Sequence, residues 1–205
     1  MLPQALVAFS LVLSVAQPAS ALWPLPRQIT TGNTALKLSS GFDIKLSGIK
    51  NAPKDLTDAV SRTSTYLRND KLEALVVDRG ASSSKVVEAA KSLKTLRISL
   101  TGDSKSVKSI SEEATAPLES RSEGYTLTIP ADGSDATLQA NSTLGLFRGL
   151  TTFGQIWYEL EGNTYTLDAP FNIVDSPAYV GVSVTSGYSY SKGLPFRVSC
   201  SPTAG

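Results

Sequence analysis

The sequence predicts an α+β fold: a mixed or antiparallel β-sheet with two main helices packed on one face. Three observations carry that prediction. Apolar and polar residues alternate over short runs, most plainly at 96–100, 125–129 and 136–140, the period of half-buried strands. Two longer stretches, near residues 53–67 and 142–157, repeat apolar residues at helical spacing. The links between them are short and turn-rich, which favours hairpins over long crossovers.

From the start of the chain, the apolar run Leu2 to Ala21 ends in Ala19-Ser20-Ala21, the small-x-small pattern that a signal peptidase cuts. Cleavage is expected after Ala21. No Lys or Arg precedes the run, so the amino group of Met1 must supply its positive charge. A transmembrane anchor is the rival reading, but Pro3, Gln17, Pro18 and several Ser interrupt a stretch already at the short limit for spanning. The predicted organisation is a signal peptide at 1–21, one domain at 22–179, and a Ser-, Gly- and Tyr-rich tail at 180–205.

Of 205 residues 41% are hydrophobic and the net charge is +1, so the chain lacks the basic excess that a nucleic-acid or anionic-membrane partner would need. Cys200 is the sole cysteine, so no intrachain disulfide forms and the core must supply the stability.

Within the domain, Ala35–Leu38 and Phe42–Leu46 read as a hairpin about Ser39-Ser40-Gly41. Asn51-Ala52-Pro53 opens a helix in which Leu56, Val60, Thr63 and Leu67 share a face, with Pro53 where a first-turn proline is tolerated. The apolar run Leu72–Val77 reads as a strand or the end of that helix. Ser82–Leu93 reads as a short helix with Val86, Val87, Ala90 and Leu93 inward, followed by a strand at Leu96–Leu100. Thr101–Ser122 has no sustained apolar period and reads as a loop or a mobile insertion. Tyr125–Ile129 and Ala136–Ala140 flank the turn Ala131-Asp132-Gly133-Ser134 and form a second hairpin.

The helix that follows starts at a cap supplied by Asn141 or Ser142 and turns Leu146, Leu150, Phe153 and Trp157 to one side. Gly145 and Gly149 each weaken an isolated helix by roughly 1 kcal/mol relative to Ala. Close approach of helix to sheet is the expected return. Tyr165 with Leu167, and Phe171 with Ile173 and Val174, suggest two further strands.

The segment Arg148-Gly149-Leu150-Thr151-Thr152-Phe153-Gly154-Gln155 resembles the R-G-L-x-T-F-x-Q signature of the N-terminal domain of eukaryotic β-N-acetylhexosaminidases, glycoside hydrolase family 20. Arg148, Gly149, Leu150, Thr152, Phe153 and Gln155 are its matched, structural positions. The hairpin before it, Asn141-Ser142-Thr143-Leu144-Gly145 and Trp157-Tyr158 resemble the fungal branch, and Trp23-Pro24-Leu25-Pro26 at the expected mature start resembles the W-P-x-P with which the family's mature chains often begin. The resemblance implies a zincin-like α+β domain that is not the one doing the family's chemistry.

Asn172–Tyr179 is similar to the family's bridge into its catalytic (β/α)₈ barrel, where an Arg-Gly on the first barrel strand grips the sugar; here Val182 and Ser183 stand at those places. The family's reaction is substrate-assisted: the 2-acetamido carbonyl attacks the anomeric carbon, an Asp stabilises the oxazolinium, and a neighbouring Glu acts as acid and then base. Its pocket carries an H-x-G-G segment and a D-E pair. This chain has no His and no Asp-Glu dipeptide, so no residue is carried over as catalytic, and neither cofactor nor metal is expected. The expectation for the tail from Val180 is translated non-native sequence, such as a retained intron or a frameshift.

Other candidates have bland readings. Glu112-Glu113 reads as solvated loop charge whose adjacent side chains point apart. Asp78-Arg79-Gly80-Ala81-Ser82 reads as a turn and cap and lacks a phosphate-loop pattern; Asp55 and Asp58 read as first-turn helix charges rather than metal ligands. Asn141-Ser142-Thr143 is the sole N-glycosylation sequon, with capping by Asn141 as the competing role.

The favoured function is therefore a non-catalytic N-terminal domain of a secreted hexosaminidase that removes terminal β-linked N-acetylhexosamine from chitin oligomers and glycoconjugates, its partner being the catalytic barrel. Secretion, with the vacuole or cell wall as further destinations, is the expected localisation. The alternative is a free-standing secreted binding or regulatory module that pairs with a full-length hexosaminidase. An independent hydrolase comes third, since no nucleophile-base-orienter set is visible.

Overall fold

The computed structural model describes residues 22–102 and 107–176. The signal segment with its boundary at Ala21, and the tail with Tyr179 before it, lie outside them. In chain order the elements are β1 (Gln28–Leu46), α1 (Lys54–Asn69), α2 (Ser84–Glu88), β2 (Lys91–Leu100), α3 (Ile110–Thr115), β3 (Tyr125–Ile129), β4 (Ala136–Ala140), α4 (Thr143–Gln155), β5 (Tyr158–Leu160) and β6 (Asn163–Asp175). The α+β expectation holds: six strands form one mixed sheet in the order β1-β2-β4-β3-β6-β5, with β1 also pairing β6.

Alternation decides which side of this sheet is covered. Tyr125, Leu127, Ile129, Ala136, Leu138, Ala140, Phe171 and Ile173 are buried, whereas their neighbours Thr126, Thr137, Gln139 and Asn172 are exposed. Register keeps each set together, with Leu127 opposite both Leu138 and Ile173. α4 lies on β2, β3 and β4, and α1 packs beside α4, closing a core that includes Leu36, Leu56, Leu67, Leu96, Ile98, Leu146 and Phe153. The shorter α2 sits instead against β1 and β6.

Several sequence expectations are corrected. The first hairpin does not exist. Both of its halves belong to one long strand, because Leu36–Leu38 and Asp43–Leu46 pair in the same parallel sense with β2 and the intervening residues form an irregularity rather than a reversal. The two strands expected after α4 are likewise one, β6, whose length is used twice: it runs antiparallel to β1 and to β3 on its two sides. Leu72–Val77 is neither strand nor helix; the Leu72 carbonyl accepts from the Glu159 amide, and Leu75, Val76 and Val77 are exposed. In the expected Ser82–Leu93 helix only Ser84–Glu88 is α-helical, Val87 is buried, Val86 is exposed, and Leu93 already belongs to β2. Leu93 answers to Leu38 across the ladder, and that long-range pairing overrides local helical spacing.

The expected loop at 101–122 contains α3. Ser109 accepts from the Glu112 amide at 3.1 Å, and the Glu112 carboxylate accepts from the Ser109 amide at 2.8 Å, a complete capping box. The polar composition hid the helix because this signal lies in its cap rather than in an apolar stripe.

Candidate functional site: the motif helix and its partners

α4 lies against α1, α3, β2, β3 and β4, and its sequence explains why it forms there. Ser142 is extended and its hydroxyl accepts from the Gly145 amide at 2.9 Å, so Ser142 and not Asn141 is the N-cap. That hydroxyl also donates to the Ser122 carbonyl. Glu113 reaches across from α3, accepting from the Leu144 amide at 2.7 Å and meeting the Thr143 hydroxyl at 3.0 Å. A carboxylate at this end suits the exposed amides and dipole of the helix. Glu112 and Glu113 are thus both built into helix starts, which corrects their reading as solvated loop charge.

The matched motif positions are tied into the fold, by hydrogen bonds at Arg148, Thr152 and Gln155 and by packing at Gly149, Leu150 and Phe153. Arg148 donates from Nε to the Glu123 carboxylate at 2.9 Å; Glu123 is 7% exposed and the Arg half-exposed, so the pair fastens the helix to the strand entry before β3. Gly149 removes the Cβ that would stand 2.2 Å from Leu138 Cδ1, and Gly145 the one that would stand 2.5 Å from the Gly124 carbonyl oxygen. Close approach was the expected role of both. Leu150 is buried, and Phe153 stacks on Phe42 with centroids 5.9 Å apart and meets Trp157 edge-on at 5.5 Å. Thr152 shares a 2.6 Å hydrogen bond with the Tyr125 hydroxyl, whose pKa burial pushes up to about 12. Gln155 grips the N-terminal arm at both ends of one residue: Oε1 accepts from the Trp23 amide at 2.7 Å and Nε2 donates to the Trp23 carbonyl at 2.9 Å. Sequence reasoning placed these residues on one helix, but it could not find Glu123, Tyr125 and Trp23 as their partners.

The remaining candidates resolve into structure. Asp55 joins α1 to α3, its Oδ2 accepting from the Ser111 amide at 3.0 Å; partial burial raises its pKa, and the hydrogen bonds from Ser111, Ile110 and Leu56 outweigh that and lower it. Asp58 forms an exposed ion pair with Lys54 at 2.7 Å. Asp78 accepts from the Gly80 and Ser82 amides, a turn and cap as expected, and its bonds with Ser82 first and Gly80 next hold its pKa down. Among the described residues no three His, Cys, Asp or Glu side chains gather as metal ligands would. A cleft of about 390 Å³ lies where β3 begins and β4 and β6 end, lined in part by Thr101, Glu123, Gln139, Asn141 and Asp175. Several of its polar groups are already engaged: Glu123 with Arg148, Asp175 with the Arg27 amide, and the Thr101 hydroxyl with Asn141 Oδ1.

Fold and site together define an α+β scaffold domain stapled by one helix, whose signature side chains serve internal contacts. Residues 22–156 match the family described as beta-acetyl hexosaminidase like, and the chain belongs to that family as its N-terminal domain. It is 24% identical to Beta-hexosaminidase 1 of Arabidopsis thaliana over 94% of this chain and 35% of the relative, so the chain spans about a third of the length of that protein. Among solved structures, Flavobacterium johnsoniae chitobiase is 20% identical with a TM-score of 0.48, covering 78% of this chain and 21% of that one. A Vibrio harveyi GH20 exo beta-N-acetylglucosaminidase is 14% identical with a TM-score of 0.41, covering 78% and 20%.

Proposed function

We propose that residues 22–176 are the non-catalytic, zincin-like N-terminal domain of a secreted, fungal-type β-N-acetylhexosaminidase, packing on a catalytic (β/α)₈ barrel and supporting its folding. The enzyme so assembled would remove terminal β-linked N-acetylhexosamine from chitin oligomers and glycoconjugates. One observation carries the non-catalytic part: the polar side chains of the family motif are spent on internal partners, Arg148 on Glu123, Thr152 on Tyr125 and Gln155 on Trp23. So engaged, these side chains fasten the fold, and they do not assemble a nucleophile, base and orienting group around one open site. The barrel is the proposed partner, any contact with carbohydrate runs through it, and the destination is the secretory pathway, with vacuole or cell wall as further locations.

Two measurements test this. The purified chain is expected to give no turnover of a chromogenic N-acetylglucosaminide, and turnover would refute the non-catalytic role. Mixed with the separately produced barrel of a family enzyme, it is expected to form a complex and raise the melting temperature of the barrel. If no complex forms and the melting temperature stays put, the packing role fails.

A further inference from the structure

The sequon Asn141-Ser142-Thr143 is split by the fold into two unlike halves. Asn141 is exposed at the entry to α4, at the rim of the cleft where β3 begins and β4 and β6 end. The cap falls to Ser142, so the competing use of Asn141 is removed. Its Oδ1 is held by the Thr101 hydroxyl, and among the described residues Nδ2 has no hydrogen-bond partner. Thr143, by contrast, is 1% exposed, and its hydroxyl lies 2.9 Å from the Lys108 carbonyl oxygen and 3.0 Å from Glu113 Oε2. An acceptor sequon is read through both residues, the amide that takes the sugar and the hydroxyl two places on.

We propose that Asn141 carries an N-linked glycan attached before α3 and α4 dock, and that docking then withdraws the sequon from any further reaction. In the attachment step Asn141 Nδ2 displaces the lipid diphosphate from the anomeric carbon of a lipid-diphosphate-linked oligosaccharide. The C1–N bond forms, the C1–O bond to the diphosphate breaks, and the amide gives up one proton. The exposed Asn141 with its unpaired Nδ2 lets the finished domain hold the glycan, while the buried Thr143 hydroxyl denies the folded domain as a substrate. An unmodified Asn141 is therefore fixed once the helix has docked. This inference rests on the secretory part of the proposed function.

The test is expression of the full chain in a eukaryotic host, with the N-terminus sequenced and the mass read before and after an amidase that removes N-glycans and leaves Asp in place of Asn. A chain beginning at Leu22, with a glycan whose removal marks residue 141, supports the proposal, and N141Q should lose the mass shift entirely. Thr143→Ser keeps the hydroxyl and should keep the glycan. A chain beginning at Leu22 with no glycan overturns this inference and leaves the secretory reading intact; a chain that still begins at Met1 and carries no glycan overturns both. For the order of events, unmodified chain made in bacteria is offered, folded and urea-unfolded, to a purified eukaryotic transferase with its lipid-linked donor. Modification of the unfolded form alone supports the locking step, and equal modification of both refutes it.

Discussion

One chemical change, Gly→Ala, is expected to have opposite effects at two positions of α4, and the structure supplies the sign of each. Away from any contact the substitution favours a helix by about 1 kcal/mol. At Gly154 the added methyl would lie 3.6 Å from Tyr66 Cε1, an ordinary contact, so most of that gain should survive. At Gly145 it would lie 2.5 Å from the Gly124 carbonyl oxygen and 2.9 Å from Ala140 Cβ. Neither obstacle is a flexible side-chain end; one is backbone and the other sits on the buried face of β4. Overpacking of this kind costs about 1–3 kcal/mol, and with rigid obstacles the upper part of that range applies. After the helical gain is subtracted, Gly145→Ala is expected to destabilise by about 1–2 kcal/mol, a fall in Tm of about 2–8 °C for a domain of this size. Gly154→Ala is expected to raise Tm by a few degrees. Urea titration and thermal melts of the purified chain followed by circular dichroism read both. If Gly145→Ala is as stabilising as Gly154→Ala, the start of α4 does not approach Gly124 and β4 as closely as described, and the account of Gly145 fails.

Removing one half of the Arg148–Glu123 pair with Arg148→Ala should strand a carboxylate that is 7% exposed and cost about 1–3 kcal/mol in urea titration, part of which Glu123→Gln on the same background should restore. A double variant no better than the single would sink the pairing argument. Gln155→Ala should free the arm at Trp23, seen as faster hydrogen exchange of the Trp23 amide, while the amides of β3 and β4 keep their protection; unchanged exchange at Trp23 would count against the grip. Asp168 has its pKa raised by burial, so the folded state holds its proton more tightly than the unfolded one does. Any stability from that proton is present at low pH and lost as pH rises through the folded pKa, leaving a desolvated charge at neutral pH. Asp168→Asn should therefore raise Tm at pH 7 more than at pH 3, and a larger gain at pH 3 would contradict the sign.

The elements legible in the sequence were those whose periodicity and chemistry are local. The β3–β4 hairpin, with alternation on both sides of Asp132-Gly133, and α4, with its polar cap and apolar face, stand where they were expected. The ones misread were those whose form is set by a distant strand. β1 looks like two strands because its alternation breaks at Ser39-Ser40-Gly41, yet both halves lie along β2. Leu93 has helical spacing with Val86 and Ala90, yet Leu38 draws it into the sheet. α3 has no apolar stripe at all, and Ser109 three residues before Glu112 was the signal that could have revealed it.

The motif shows the same division at the scale of single residues. Sequence alone determined the α+β class, the helix that bears Arg148, Thr152 and Gln155, and the family to which that helix points, because period, cap residues and a contiguous signature all lie within a few turns of chain. What those side chains do was decided by tertiary structure, since Glu123, Tyr125 and Trp23 lie 25, 27 and 132 residues away from their partners. Pattern reports which face of a helix is buried. Only folding brings an acceptor from another part of the chain within hydrogen-bond reach, and that proximity made the signature of this domain a set of internal fastenings.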